Sequence, residues 1–136
     1  MNRFTLNIST DGSTDIVNLS QDLAKQIRDY HGDGLLHLFA VGSTCALTTI
    51  EFEPGLVKSD FRALMHKLIP DDARYEHEMT WNDDNGHSHL RASLIGAEVT
   101  IPYSKGKLLT GDYQQVVLID FDTRPRKRTI IGTVIS

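Results

Sequence analysis

The chain has 136 residues and a formal net charge of −4 with histidine neutral; 40% of its residues are hydrophobic and 24% charged. These are the proportions of an ordinary soluble domain, large enough for a core without metal or disulfide staples. The mild acidity argues against a constitutive nucleic-acid binder, and no apolar run is long enough to span a bilayer.

The single cysteine, Cys45, cannot close an internal disulfide, so nothing demands an oxidising compartment. The amino terminus lacks the apolar core and cleavage site of a signal peptide. A cytoplasmic protein is therefore expected, and the sequons at Asn7 and Asn18 read as chance matches.

No repeat, low-complexity tract or linker divides the chain, so residues 1–136 read as a single domain. Residues 16–19 read as the end of a short strand. Ser20 then stands as the N-cap of a helix with Asp22 in its first turn. Leu23, Ala24, Ile27 and Tyr30 share one helical face, and Gly32 and Gly34 end the helix. Residues 35–41 and 46–52 read as strands, the second rich in β-branched residues. Ser59 is placed to cap a second helix over 60–68, stopped by Pro70. Residues 71–86 show no period and are long for a structureless connection. From 87 to 95 the chain alternates: His87, His89, Arg91 and Ser93 face one way, Leu90, Ala92 and Leu94 the other. That pattern predicts a half-buried strand. Further strands are expected over 99–102, 114–120 and 128–135. Two main helices and six or more strands joined by short turns predict an α+β fold with largely antiparallel sheets.

Charge is unevenly spread. Residues 71–84 hold six acids against Arg74 alone, a local net of −5, which leaves the rest of the chain at +1. The segment is either a solvated loop or a site that attracts a cation. At the other extreme Arg124, Arg126, Lys127 and Arg128 crowd into five residues beside Asp120 and Asp122. They form an exposed turn or a clamp for phosphate, to which arginine offers a planar fork of donors.

His87 and His89, two apart on the expected strand, would emerge on one face, a common fragment of zinc sites. His77, across the acidic segment, could supply a third ligand. The alternative is a solvent-exposed pair. His31, His37 and His66 read as lone packing or surface histidines. Glu51 and Asp60 lie at element ends, where a carboxylate can be delivered into a cleft as a general acid or base or can simply be exposed. Phosphate-binding glycine loops and a nucleophile elbow are absent, and Cys45 reads as an inert buried thiol.

From about residue 35 to 135 the order and spacing of several stretches resemble the YjbQ family of secondary thiamin-phosphate-synthase-like proteins. These are Gly42-Ser43-Thr44-Cys45-Ala46-Leu47 followed by Glu51; Asp60 opening the helix that ends at Leu68-Ile69-Pro70; Tyr75-Glu76-His77; Asn85-Gly86-His87-Ser88-His89-Leu90; Gly111-Asp112-Tyr113-Gln114; and Pro125-Arg126-Lys127-Arg128. The resemblance implies an α+β homotrimer with sites near subunit boundaries. It implies metal binding through His77 and His89, with Asn85 nearby, and a weak condensation of a pyrimidine diphosphate with a thiazole phosphate. Ser43, Thr44, Gln114, Arg126 and Arg128 are then the expected contacts of a small phosphorylated molecule. Zinc is the expected divalent ion and magnesium the alternative, with Glu51, Asp60 and Asn85 as catalytic candidates. Two departures stand out. Gly42 replaces a family histidine, a loss that His87 is placed to make good. Tyr113-Gln114 and Arg124-Pro125-Arg126 replace Trp-Gln and Gly-Pro-Arg. A non-catalytic trimeric protein that binds metal or ligand, or a purely structural subunit, are the other readings. Neither nucleic acid nor membrane is an expected partner.

Overall fold

In the computed structural model, which describes residues 2–136, apolar residues at every second position build the strands that form two sheets. The order is β1 (Asn2–Thr10), β2 (Asp15–Asn18), α1 (Ser20–Ile27), β3 (Asp33–Val41) and β4 (Cys45–Glu51). A π-helical turn (Leu56–Asp60) runs into α2 (Phe61–Leu68), followed by α3 (Glu76–Trp81) and α4 (Gly86–Ile95). The chain closes with β5 (Glu98–Ser104), β6 (Lys107–Leu108), β7 (Gln114–Asp120) and β8 (Arg126–Ile135). All pairings are antiparallel, in a five-stranded sheet ordered β1-β8-β3-β5-β6 and a three-stranded sheet ordered β2-β7-β4. The α+β class and the antiparallel sheets expected from the sequence are what the chain forms.

The two sheets pack face to face over Leu36, Leu38 and Ala40 of β3, Ile130 and Val134 of β8, Leu47 of β4, and Val116 and Leu118 of β7. Helix α1 adds Leu23 and Ile27 to this core. The opposite face of the small sheet (Ala46, Val117 and Ile119) is covered by Val57, Met65 and Ala92 from the helical layer. Consecutive residues Val116 to Ile119 are thus all buried, as a strand covered on both faces requires. Gly132 on β8 stands opposite Phe4 on β1, and a Cβ at 132 would fall 2.2 Å from the Phe4 ring, so the ring packs over the glycine and would have to move for any larger residue. The outward residues of β3 leave an apolar stripe: Leu35, Phe39 and Val41 are each more than 40% exposed.

Four sequence expectations need correction. Residues 87–95 are not a strand but α4, whose buried face is Gly86, His87, Ser88, Arg91 and Ala92. The buried side is mostly polar, while Leu90 and Leu94, one turn apart, are exposed. Period-two polarity there was a coincidence of composition. The acidic segment contains a short helix, α3, rather than an unstructured run. Ser20 does not cap α1 through its side chain; its hydroxyl accepts the Val116 N–H and ties the helix to β7. Ser59 lies inside a helix that starts earlier, where the Glu53 carboxylate accepts the N–H groups of Gly55 and Leu56.

Candidate functional site

One end of the sandwich brings together the start of β4, the end of β7, the start of β8, the end of β1 and the entry to α4. Its centre is a buried ion pair. Arg128 donates from Nε to Asp120 Oδ2 at 2.7 Å and from Nη2 to Asp120 Oδ1 at 2.8 Å, the fork geometry that gives guanidinium–carboxylate pairs their strength. The Thr10 hydroxyl also donates to Asp120, and the same Arg128 Nη2 donates to the Thr44 hydroxyl. Two residues on, Asp122 accepts from Thr44 Oγ1, Arg126 Nε, the Thr123 N–H and Asn85 Nδ2. Burial alone pushes both aspartates up. Hydrogen bonds outweigh it, chiefly from Arg128 and Thr10 at Asp120 and from Thr123 and Asn85 at Asp122, and hold both below the usual carboxylate value. The Cys45 thiol beside them is pushed up by burial, so it stays protonated as expected of an inert thiol.

From Asp122 the network runs outward. Asn85 stands at the N-cap position of α4 without capping it. Its Nδ2 goes to Asp122, while its Oδ1 accepts from His77 Nε2 at 3.0 Å. His77, on α3, meets His89, on α4, edge to face with ring centroids 4.6 Å apart. Asp83 Oδ2 lies 3.9 Å from His77 Nε2. The two rings line a cleft of about 340 Å³ with Tyr75, Glu76 and Leu90. In this arrangement a neutral His77 uses Nε2–H as donor to Asn85 and keeps its Nδ1 lone pair free. That division of labour is common in metal-ligating histidines. Imidazole nitrogen is a donor type that zinc and similar divalent ions accept, while the Asn85 oxygen and the Asp83 carboxylate lie against Nε2 of His77 rather than its free Nδ1.

The structure therefore joins His77, His89, Asn85, Thr44, Arg126 and Arg128 of the expected set, and separates the rest. His87 does not share a face with His89, because two residues on a helix turn the side chain to the opposite side. It is buried, and burial together with nearby Arg91 pushes its imidazole pKa down. Glu51 pairs with Gln114 across β4 and β7 and lines a different cleft with Phe52 and Tyr113. Gln114 bonds Thr49 and Gly111 instead of facing the histidines. Asp60 is exposed where the π-helical turn meets α2, and Ser43 is exposed in the β3–β4 turn. At Gly42 an added Cβ would fall 2.9 Å from Arg128 Nη1, so arginine occupies the space that a side chain there would enter. A separate group, His66, Asp71 and Asp72, has ligand atoms within 4.8 Å of one another, but all three are exposed and His66 is paired with Asp71. Thr10, Asp120 and Asp122 are the members of the network to which the sequence assigned no role; the only signal for the aspartates was two acids just ahead of four cations.

A three-layer α+β fold with a histidine pair tied by asparagine to a buried aspartate–arginine network defines the class of protein. Residues 4–136 match the family described as UPF0047 protein YjbQ-like. A UPF0047 protein of Archaeoglobus fulgidus is 32% identical over 126 residues, 93% of this chain and 95% of the relative. The UPF0047 protein YjbQ of Escherichia coli is 32% identical over 101 residues, covering 74% and 72%. A hypothetical protein from Aeropyrum pernix shares the fold at a TM-score of 0.90 and 23% identity, covering 100% of this chain and 99% of that one. A YbjQ-like protein of unknown function from Sulfolobus solfataricus does so at 0.86 and 24%, covering 99% of each. The chain belongs to the YjbQ-like UPF0047 family.

Removing the cation of the buried pair tests the network. Arg128→Met should lose about 3–5 kcal/mol at pH 7 in urea unfolding, because Asp120 is left charged and uncompensated. The linkage sign should also reverse. In the unmodified protein the lowered aspartate values add stability above about pH 4, lost as pH falls through them; in the variant Asp120 is raised by burial, so the deficit shrinks on acidification. A deficit below about 1 kcal/mol, the range of a surface pair, would contradict the buried pairing.

Proposed function

We propose that this family member binds one divalent ion, zinc by donor chemistry, through His77 and His89, and handles a small phosphorylated molecule beside it. The observation that carries this reading is the imidazole pair with Asn85 Oδ1 accepting from His77 Nε2. The reaction class is the one the family resemblance implies, joining a pyrimidine diphosphate to a thiazole phosphate. When bound, the ion would supply positive charge against a phosphate oxygen. His77 and His89 hold it, Asn85 fixes the ring orientation of His77, and Asp122 fixes Asn85.

A second reading, a non-catalytic metal- or ligand-binding protein, is favoured by a specific observation. Glu51 and Asp60, the acid–base candidates, do not line the histidine cleft, the fork of Arg128 is engaged by Asp120, and Arg126 gives its Nε to Asp122. Metal analysis separates the histidines by role. About one ion per chain is expected in untagged protein. His77→Ala and His89→Ala should abolish it, Asn85→Ala should weaken it about 10–100-fold, and His87→Ala should leave it unchanged. No retained metal after zinc incubation would overturn the site. With metal present, thiamin phosphate formation from the two phosphorylated precursors above a protein-free blank, lost in His89→Ala, supports the enzyme. A rate equal to the blank supports the binding protein.

The homotrimer implied by the family draws support from the exposed stripe of Leu35, Phe39 and Val41, which a neighbouring copy would cover. Light scattering should give three times the 15.2 kDa chain mass, and Phe39→Glu should shift it toward monomer. A concentration-independent monomer before substitution would exclude the trimer.

A further inference from the structure

The face of α4 turned away from His89 lines a second cavity, of about 430 Å³, within the size range of small-ligand sites. Two helices meet across it. His87 and Arg91 project from consecutive turns of α4, Arg62 and His66 from consecutive turns of α2. Part of its remaining wall is the turn between β1 and β2. There Ser13 and Thr14 both adopt left-handed backbone conformations, at φ +53° and +65°, which are costly for a β-branched residue. Neighbouring Gly12 makes the turn possible, since a Cβ there would lie 2.6 Å from the Arg124 carbonyl oxygen.

Arg91 carries the argument. It is 5% exposed, yet among the described residues no carboxylate lies within 4.0 Å of its guanidinium. Nε donates to the Ile69 carbonyl at 3.0 Å and Nη1 to the Thr14 hydroxyl at 3.3 Å, both neutral acceptors. Nη2 makes no hydrogen bond among the described residues, and the group lines the cavity. A buried cation with no carboxylate in contact is expensive, Asp71 attracting it only from beyond 4.0 Å, and the two strained residues include the one that holds it in place. Two carboxylates, Asp71 and Asp84, also line the cavity, and both are engaged by other partners. Asp71 is paired with His66, while Asp84 accepts from the Thr123 hydroxyl and pairs with Arg124. Arg62, anchored by Nη1 to the Ser13 carbonyl at 2.7 Å, brings a second guanidinium to the same space.

We propose that this cavity is a subsite for the phosphate group of a small molecule, with Arg91 as its charge partner and Arg62 as the second donor fork. The planar donors of arginine match tetrahedral oxyanions, and the imidazoles of His66 and His87 line the same space. The subsite takes its ligand class from the proposed function but does not depend on the metal. It moves the phosphate contact from Arg128, whose fork is engaged by Asp120, and Arg126, whose Nε is taken by Asp122, to the opposite side of α4.

Calorimetric titration of chelator-treated, metal-free protein at constant ionic strength tests it, with inorganic phosphate and a phosphomonoester such as ribose 5-phosphate as probes. Saturable binding of the monoester is expected, at least as tight as that of inorganic phosphate. Arg91→Met should weaken it more than about tenfold and Arg62→Gln about threefold or more. His77→Ala should leave it unchanged, so that failure of the metal site and failure of this subsite are separable. Tighter binding of inorganic phosphate than of the monoester would assign the subsite to the free ion and overturn the small-molecule reading. Arg62 is exposed, so its variant tests the subsite even if Arg91→Met does not fold. Absence of saturable binding of either probe, or affinity undiminished in the folded arginine variants, would overturn the proposal.

Discussion

The bidentate contact between Arg128 and Asp120 is the interaction on which the rest of this end of the molecule depends. Asp120 ends β7 and Arg128 lies two residues into β8, on opposite sheets, so the pair bridges the sandwich where its strands turn back. Both groups are almost completely removed from water, which would be prohibitive for either alone. Thr10, Thr44 and the Asp122 N–H complete the hydrogen bonding, and no buried side-chain polar atom among the described residues is left without a partner. The pair also explains Gly42: the guanidinium lies where a side chain at that position would start.

Helix α4 turns this buried scaffold into two outward surfaces. Its entry residue Asn85 is fixed by Asp122 and in turn orients His77 toward the cleft it shares with His89. Ser88 anchors the helix to the Phe121 carbonyl, beneath the same loop. One face thus carries His89, which meets His77 of α3. The other carries Arg91, a cation suited to an anion. A phosphorylated ligand and a divalent ion have complementary charges, and a helix that separates their contacts by half a turn can hold both without direct competition.

Much of the fold was legible because its signals are local. The strands at β3, β4, β5, β7 and β8 follow β-branched alternation or runs, and Pro70 marks the end of α2. The nine-residue β1 went unread, although Phe4, Leu6 and Ile8 alternate, since its partner β8 lies at the far end of the chain. Helix α4 was misread because what it buries is polar: Ser88 and Arg91 find partners only through tertiary contacts, which no period reveals. The same error put His87 beside His89, when the helix places them on opposite sides. The charge clusters were visible, but not their use. Four cations near two aspartates could have formed a phosphate clamp; the aspartates reached Arg126 and Arg128 first. No helix among the described residues is long and apolar enough to cross a membrane, as the short apolar runs implied.

The central claim is that the histidine pair is held by the aspartate network through Asn85. A double-mutant cycle on zinc affinity, using Asn85→Ala and Asp122→Asn singly and together, tests it most directly by competition with a chelating dye. If Asp122 acts on His77 only through Asn85, each single change weakens zinc binding and the double variant is hardly worse than Asn85→Ala. A coupling energy of at least about 0.5 kcal/mol is then expected. Additive losses, or zinc affinity unchanged by Asp122→Asn in a variant that remains folded, would contradict the account.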